Sequence, residues 1–327
     1  MKAATYYKYG SSDVLHIEDV AQPVLGEGEV LIQVKAASIN AYDWHLLRAK
    51  PFFTRFLSGL LKPRDTILGA DIAGIVVSAD DAVTRWKRGD EVYGCLESCG
   101  AGGLATGGFA EYARAKETVL APKPATLSFE EAAALPMAAV TALQGLRDDG
   151  KLQPGQAVLI NGASGGVGTF AMQIAKALGA QVTAVCSSGA VEVVRSLGAD
   201  RVIDYAMEDF SKGGQRYDLI VDIAANRTVA QYRRALKPQG RCVVIGFSDI
   251  VHLLNIGLLG GKRISILMAD NTRADGLVYI SELCESGKLK PVIDRRYTLD
   301  EASAAIRYVE EGHPKGKVVL EIGNAST

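Results

Sequence analysis

Cysteine, histidine and tryptophan are scarce in this chain, and neither sign of charge prevails. Five cysteines are scattered over 327 residues, an odd number without framework spacing, which argues against a disulfide-stapled secreted fold. A reducing cytoplasm is the compartment that fits. Of the four histidines, His16, His252 and His313 have no partner at ligand spacing and read as surface or structural residues. Cys95 and Cys99 are close, but no second pair follows at zinc-lobe spacing, so small buried apolar residues are the simpler reading. The formal net charge is −1, which gives no electrostatic case for nucleic acid or an anionic membrane. No apolar run approaches the roughly 20 residues of a membrane span. The opening MKAATYYKYG lacks the apolar region of a signal peptide.

What is present is length, apolar residues and glycine. With 48% hydrophobic residues and 35 glycines, the chain has ample material for a large core and predicts two domains. From Met1 to about Pro122 the texture is β-rich, with strands at Val30–Val34, Asp71–Val77 and Asp90–Tyr93 punctuated by Gly69, Gly89 and Gly94. Short strands with frequent glycine turns predict a barrel-like fold. From about Leu127 strands and helices alternate. Apolar strands recur at Val158–Ile160, Val182–Val185, Leu219–Val221, Val243–Ile245 and Ile264–Leu267, the pattern of a doubly wound parallel sheet. The tail adds a helix and a strand, Lys317–Ile322, expected to return to the first domain. The domains are therefore expected at 1–122 with 271–327, and at 123–270.

The chain is organised around Val158–Ala180. Val158-Leu159-Ile160 is apolar enough for a buried parallel strand. Ala163-Ser164-Gly165-Gly166-Val167-Gly168 follows, then a helical pattern from Thr169 to Leu178, with Gly179 as its stop. Strand, glycine turn and helix form the first unit of a dinucleotide-binding fold. Gly165 and Gly166 let the backbone press against a pyrophosphate, with their N–H groups and the helix N-terminus facing the anion. Gly168 lets the helix pack close to its strand.

Gly155-Gln156, Leu159, Ala163 to Gly168, Gln173 and Lys176 match the quinone oxidoreductase signature at every defined position. The chain resembles the zinc-independent quinone oxidoreductase branch of the medium-chain dehydrogenase/reductase superfamily from end to end. Ser38-Ile39-Asn40-Ala41-Tyr42-Asp43 resembles the family's S-I-N-P-x-D motif, with alanine in place of proline. Gly69 to Gly74, Gly89 to Gly94, Leu135-Pro136 with Thr141-Ala142, and Gly198-Ala199-Asp200 also fit. The resemblance implies an α/β protein: a Rossmann doubly wound parallel sheet plus a GroES-like β-barrel-type domain. Homodimers are common in the family, so a homodimer is expected.

Alcohol dehydrogenases of this superfamily hold catalytic zinc at places that correspond here to Asn40, Ala70 and Met137. Alanine and methionine are not credible zinc ligands, so no metal is expected. The glycine-loop residues Ser164, Gly165, Gly166 and Val167 are expected on the cofactor pyrophosphate. The second strand ends in Cys186-Ser187-Ser188 without an acid to repel a phosphate. Ser187 and Ser188 offer hydroxyls, and Tyr205 matches the family position that reaches the adenine ribose. This favours NADPH over NADH. Further implied cofactor contacts are Thr141, starting a helix; Asn226, after the fourth strand; Ile245, Gly246 and Phe247, ending the fifth; and Leu267, Met268 and Ala269, ending the sixth. For the apolar members, plain sheet core is an equal reading. Asn40, Tyr42 and His45 are the candidate catalytic residues: two hydrogen-bonding groups, and a histidine at a family position near the cofactor that reads equally as a solvated loop residue. Asp43 reads as a structural hydrogen-bond partner.

Arg48–Pro63 stands apart. Phe52, Phe53, Phe56, Leu57, Leu60 and Leu61 fall on helical spacing, either as an apolar lid over the substrate, which is favoured, or as a subunit contact. The function the resemblance implies is NADPH-dependent, metal-free hydride transfer to small apolar α,β-unsaturated carbonyls or quinones. The alternatives are a zinc-independent NAD(P)-dependent alcohol dehydrogenase or ketoreductase, and an NADPH-binding sensor or structural protein of low turnover.

Overall fold

The computed structural model describes residues 1–52, 54–96, 107–246, 250–270, 274–312 and 314–323, and of Leu57 and Ile250 the backbone alone. The expectations placed on Phe53, Cys99, Phe247 and His313, and on the Leu57 side chain, lie outside what is described. The chain divides into two compact units, one of Met1–Ala138, Asp270–Glu285 and Pro291–Thr327, the other of Ala139–Ala269 and Ser286–Lys290.

The first unit begins with β1 (Lys2–Thr5), β2 (His16–Asp19), β3 (Glu29–Ile39), α1 (Ala41–Arg48) and α2 (Thr54–Ser58). It continues through β4 (Asp71–Ala79), β5 (Glu91–Cys95), β6 (Tyr112–Lys116), β7 (Leu120–Pro122) and α3 (Phe129–Ala133), and α4 (Pro136–Leu143) crosses the division. The second unit holds β8 (Ala157–Asn161), α5 (Gly166–Ala177), β9 (Gln181–Cys186), α6 (Val191–Ser196), β10 (Arg201–Asp204), β11 (Tyr217–Asp222), α7 (Val229–Ala235), β12 (Leu236–Ile245), α8 (Ile250–Leu259) and β13 (Ile264–Leu267). The chain then returns to the first unit with α9 (Asp275–Glu285), β14 (Ile293–Thr298), α10 (Ala302–Glu310) and β15 (Lys317–Glu321).

In the first unit a seven-stranded sheet runs β14-β15-β3-β4-β5-β7, with β6 also on β3. Burial alternates along the first part of β3, as expected of a strand with one face on a core. Val30, Ile32, Ile72, Phe109, Leu120 and Leu320 make the centre of that core. The strand registers set Ile39 opposite Val318, Ser38 opposite Asp71, and Asp71 opposite Cys95. One end of the sheet thus carries a row of polar residues from four adjacent strands.

The second unit is a parallel sheet of order β10-β9-β8-β11-β12-β13. Counted along the chain this is the 3-2-1-4-5-6 order of the doubly wound fold. Val158, Leu159 and Ile160 of β8 are fully buried, as a central strand covered on both faces requires.

Several boundaries differ from the sequence reading. The helix expected from Thr169 starts at Gly166, because the glycines of the loop themselves form its first turn. The alternating texture begins near Leu127, but the division falls after Ala138. Helical periodicity does not say which sheet a helix covers, and α3 packs on β3 and β4. The insertion is helical only over Thr54–Ser58, since Gly59 adopts a φ of +122° and ends the turn. Of its apolar residues, Phe52, Phe56, Leu60 and Leu61 are exposed.

Candidate active site

The strongest ligand geometry lies at the start of α5. Gly162 turns the chain with a φ of +87°, and the N–H groups of Gly162 and Ala163 donate to the Val185 carbonyl at 3.1 and 3.0 Å. The loop is therefore tied to the end of β9. A Cβ on Gly168 would stand 2.1 Å from the Gly162 oxygen and 2.6 Å from the Ala163 carbonyl carbon, so this glycine is demanded by packing. A Cβ on Gly165 would meet only the Gly162 oxygen at 3.8 Å, so it is left to an open cradle rather than a packed one. Ser164, Gly165, Gly166 and Val167 are all half-buried around it. The first N–H groups of a helix have no partner within it, and together with the helix dipole they form an anion site.

Beside this cradle, the end of β9 differs from its sequence reading. Ser188 Oγ donates to Asp204 Oδ2 at 2.5 Å. Asp204 is the last residue of β10, in register with Cys186, so a carboxylate does stand at the strand end, contributed by the neighbouring strand. The Ser188 hydrogen is committed to it, whereas among the described residues no side chain bonds the Ser187 hydroxyl. The hydrogen bonds from Ser188 and the Ala206 N–H hold Asp204 below the usual carboxylate range, so it is charged at neutral pH. Tyr205 donates its N–H to the Cys186 carbonyl and leaves its ring exposed.

Asn226 is anchored through a buried chain. Asn161 Nδ2 donates to Asn226 Oδ1 at 3.2 Å and to Asp222 Oδ1 at 2.9 Å, and the Tyr232 hydroxyl donates to Asp222 Oδ2 at 2.7 Å. Burial pushes Asp222 up, and these hydrogen bonds oppose the shift. Gly246 has a φ of +80° with open space where a side chain would stand. Thr141 is buried inside α4, not at its start. Ile245, half-buried, and Leu267, buried, approach the place of a Cβ on Gly145, whereas Met268 is 85% exposed and Ala269 half-buried.

In the first unit, Asn40 is the N-cap of α1 and the hub of the polar row. Its Nδ2 donates to Asp71 Oδ2 at 2.9 Å, and its Oδ1 accepts from Lys317 Nζ at 2.5 Å. Asp71 also accepts from Ser38 Oγ at 3.3 Å and from the Met137 N–H at 3.1 Å, and its carboxylate lies 3.8 Å from Lys317 Nζ. Asp43 accepts from the Asn40 N–H at 2.7 Å and the Gly69 N–H at 3.1 Å. Asp43 and Asp71 are fully buried, Lys317 is 3% exposed and Asn40 8%. Burial pushes Asp43 up to about 7 and raises Asp71, and it pulls Lys317 below the usual lysine range while both carboxylates oppose that fall. Tyr42 is half-buried against the core. The His45 Nδ1 lies 2.8 Å from the Lys50 carbonyl, and its ring stacks on Trp44 at 3.7 Å. Sequence reasoning missed Lys317, Asp71 and Asp204. A lysine leading an apolar strand was the one available signal for the first.

The sequence matches the alcohol dehydrogenase GroES-like domain over residues 26–125 and the zinc-binding dehydrogenase domain over residues 197–320. It is 37% identical to a 2-methylene-furan-3-one reductase of Solanum lycopersicum, over 98% of this chain and 79% of that protein. It is 34% identical to a chloroplastic NADPH-dependent alkenal/one oxidoreductase of Arabidopsis thaliana, with the same coverage. Among solved structures, the quinone oxidoreductase of Coxiella burnetii superposes with a TM-score of 0.88 at 30% identity, covering 99% of each chain. Fold and similarity together define an alcohol dehydrogenase-like member of the medium-chain dehydrogenase/reductase superfamily. Within that superfamily the chain belongs to the quinone oxidoreductase branch.

The zinc that one matched domain is named for does not fit these side chains. At the corresponding places stand the Asn40 carboxamide, already shared between Lys317 and Asp71, the buried methyl of Ala70, and Met137. An ammonium within 3.8 Å of the Asp71 carboxylate competes with any cation there. Among the described residues, no group of three His, Cys, Asp or Glu side chains is arranged to hold a metal.

Proposed function

We propose that this protein is an NADPH-dependent reductase of small apolar α,β-unsaturated carbonyls or quinones, acting without a metal. The observation that carries the reading is the open cradle at Gly165 on the α5 N-terminus, a fit for a dinucleotide pyrophosphate that packing alone does not require. The cofactor, when bound, supplies a hydride from its nicotinamide. The β-carbon of an enone accepts that hydride, and negative charge grows on the carbonyl oxygen. Asn40 keeps one N–H beyond its bond to Asp71 and donates it to that oxygen, with Tyr42 as a second donor. A proton from water completes the α-carbon.

NADPH is favoured by Ser187 and by the name of the Arabidopsis relative. The charged Asp204 beside Ser188 works against a 2′-phosphate, so the preference is expected to be modest. A homodimer is supported by β13, the edge strand of the second unit, and by the exposed Val251, Leu254 and Leu258 of the adjoining α8. The four described cysteines are buried and form no disulfide among the described residues, which suits a reducing cytoplasm. No helix among the described residues is long and apolar enough to cross a membrane.

A steady-state panel tests the reading. Sustained NADPH oxidation with enones or quinones supports it. Turnover confined to simple ketones and aldehydes would make the protein a ketoreductase, and tight NADPH binding without turnover would make it a sensor.

A further inference from the structure

We propose that Lys317 is a positioning residue for Asn40, its buried ammonium fixing the carboxamide so that a single N–H remains to donate. The inference rests on the reading of Asn40 as a donor to the substrate.

The geometry leaves the amide one orientation. An ammonium donates only, so the Asn40 atom 2.5 Å from Lys317 Nζ is the oxygen. An ionised carboxylate accepts only, so the atom 2.9 Å from Asp71 Oδ2 is the nitrogen. A flipped amide would set NH2 against NH3⁺ and oxygen against a carboxylate, two repulsions in a buried site. Lys317 cannot drift away, because it leads β15, whose next residue pairs with Ile39 of β3 directly before Asn40. Among the described residues, the charged and titratable groups around it are Asp71, Asp43 and Cys95. A cation on the carbonyl side of an amide also draws electrons from its nitrogen, which strengthens the remaining N–H as a donor. The place where related dehydrogenases carry a metal thus holds an internal cation that acts through a side chain.

This predicts coupling, which a merely structural lysine would not show. Lys317→Met alone strands the Asp71 charge in the interior and is expected to lower stability, so Lys317→Met combined with Asp71→Asn removes both charges. The comparison needs four proteins: the reference, Asn40→Ala, the Lys317→Met/Asp71→Asn pair and the triple variant. Each is checked by thermal melting, NADPH titration and kcat with an enone. Asn40→Ala is expected to lower kcat about 100-fold. The pair is expected to lower it tenfold or more, with NADPH affinity within twofold. The triple should be no slower than Asn40→Ala within twofold, because Lys317 has nothing left to orient. The inference is overturned if the pair keeps kcat within twofold, or if the losses multiply in the triple. If Asn40→Ala itself keeps kcat, the role of Asn40 has failed first, and that result is separate from the coupling.

Discussion

Two glycines three residues apart, the N-cap of α5 and a residue of its first turn, should respond to the same substitution in different ways. At Gly165 the backbone is extended, with φ −79° and ψ −179°, a conformation any residue adopts. Its added Cβ would meet protein no closer than 3.8 Å. Gly165→Ala should therefore cost no more than about 1 kcal/mol of stability, the order of a lost glycine N-cap. The methyl stands in the cradle, however, and holds a pyrophosphate off the helix N–H groups. Losing one charge-assisted hydrogen bond costs about 1.5–3 kcal/mol, which is roughly a 10- to 150-fold rise in the NADPH dissociation constant. At Gly168 the same methyl would stand 2.1 Å from a backbone oxygen, and the helix must retreat by about 1 Å to reach ordinary contact. Overpacking of that kind costs about 1–3 kcal/mol, so Gly168→Ala should lose melting temperature and affinity together. Melting curves and fluorescence titration with NADPH on both variants provide the comparison. If Gly165→Ala kept NADPH affinity within twofold, the cradle would be an ordinary tight turn and the cofactor site would lie elsewhere.

Other consequences can be measured independently. Ser187→Asp should set a second carboxylate at the end of β9 and favour NADH over NADPH by about 1–3 kcal/mol, while Asp204→Asn should move the ratio of the two dissociation constants the other way; no change in either ratio would remove the 2′-phosphate from that strand end. Asp43 has a folded-state pKa raised to about 7 from 3.8. The folded protein then binds its proton more tightly than the unfolded chain, so this stabilisation is full below about pH 4 and is lost as pH rises through 7. The loss is about 4 kcal/mol at roughly 1.4 kcal/mol per pKa unit. Burial raises Asp71 and Asp222 as well, so denaturant titrations at pH 4 and pH 8 should show a loss about 4 kcal/mol larger in the reference than in Asp43→Asn, and parallel curves would contradict it. Leu254→Glu with Leu258→Glu on α8 should shift sedimentation toward monomer, and an unchanged profile would exclude this face as the dimer contact.

How far the sequence reached depended on whether a feature was local. The parallel strands were legible because each is a short apolar run, and the β8–α5 turn because its glycines have separate physical requirements. Asn40 was visible through its motif, but its partners were not. Lys317 lies 277 residues away and meets Asn40 only because β15 pairs with β3. Asp204 was hidden in the same way, since reading along β9 for an acid cannot see one supplied by β10. His45 is visible through its family position, and its partners, the Lys50 carbonyl and the Trp44 ring, are close to it in sequence. Helical spacing runs through the whole insertion, but spacing carries no backbone torsion, and Gly59 ends the helix after Ser58.

Isotope transfer distinguishes metal-free hydride delivery to a conjugated carbon from delivery to a carbonyl carbon. Protein treated exhaustively with a chelator is given NADPH deuterated at the transferable C4 position and an α,β-unsaturated ketone, and the product is analysed by NMR. The expected product is the saturated ketone with deuterium on the β-carbon, formed at the rate of untreated protein. Deuterium on the carbonyl carbon of an allylic alcohol, or turnover that vanishes with the chelator and returns with zinc, would contradict it.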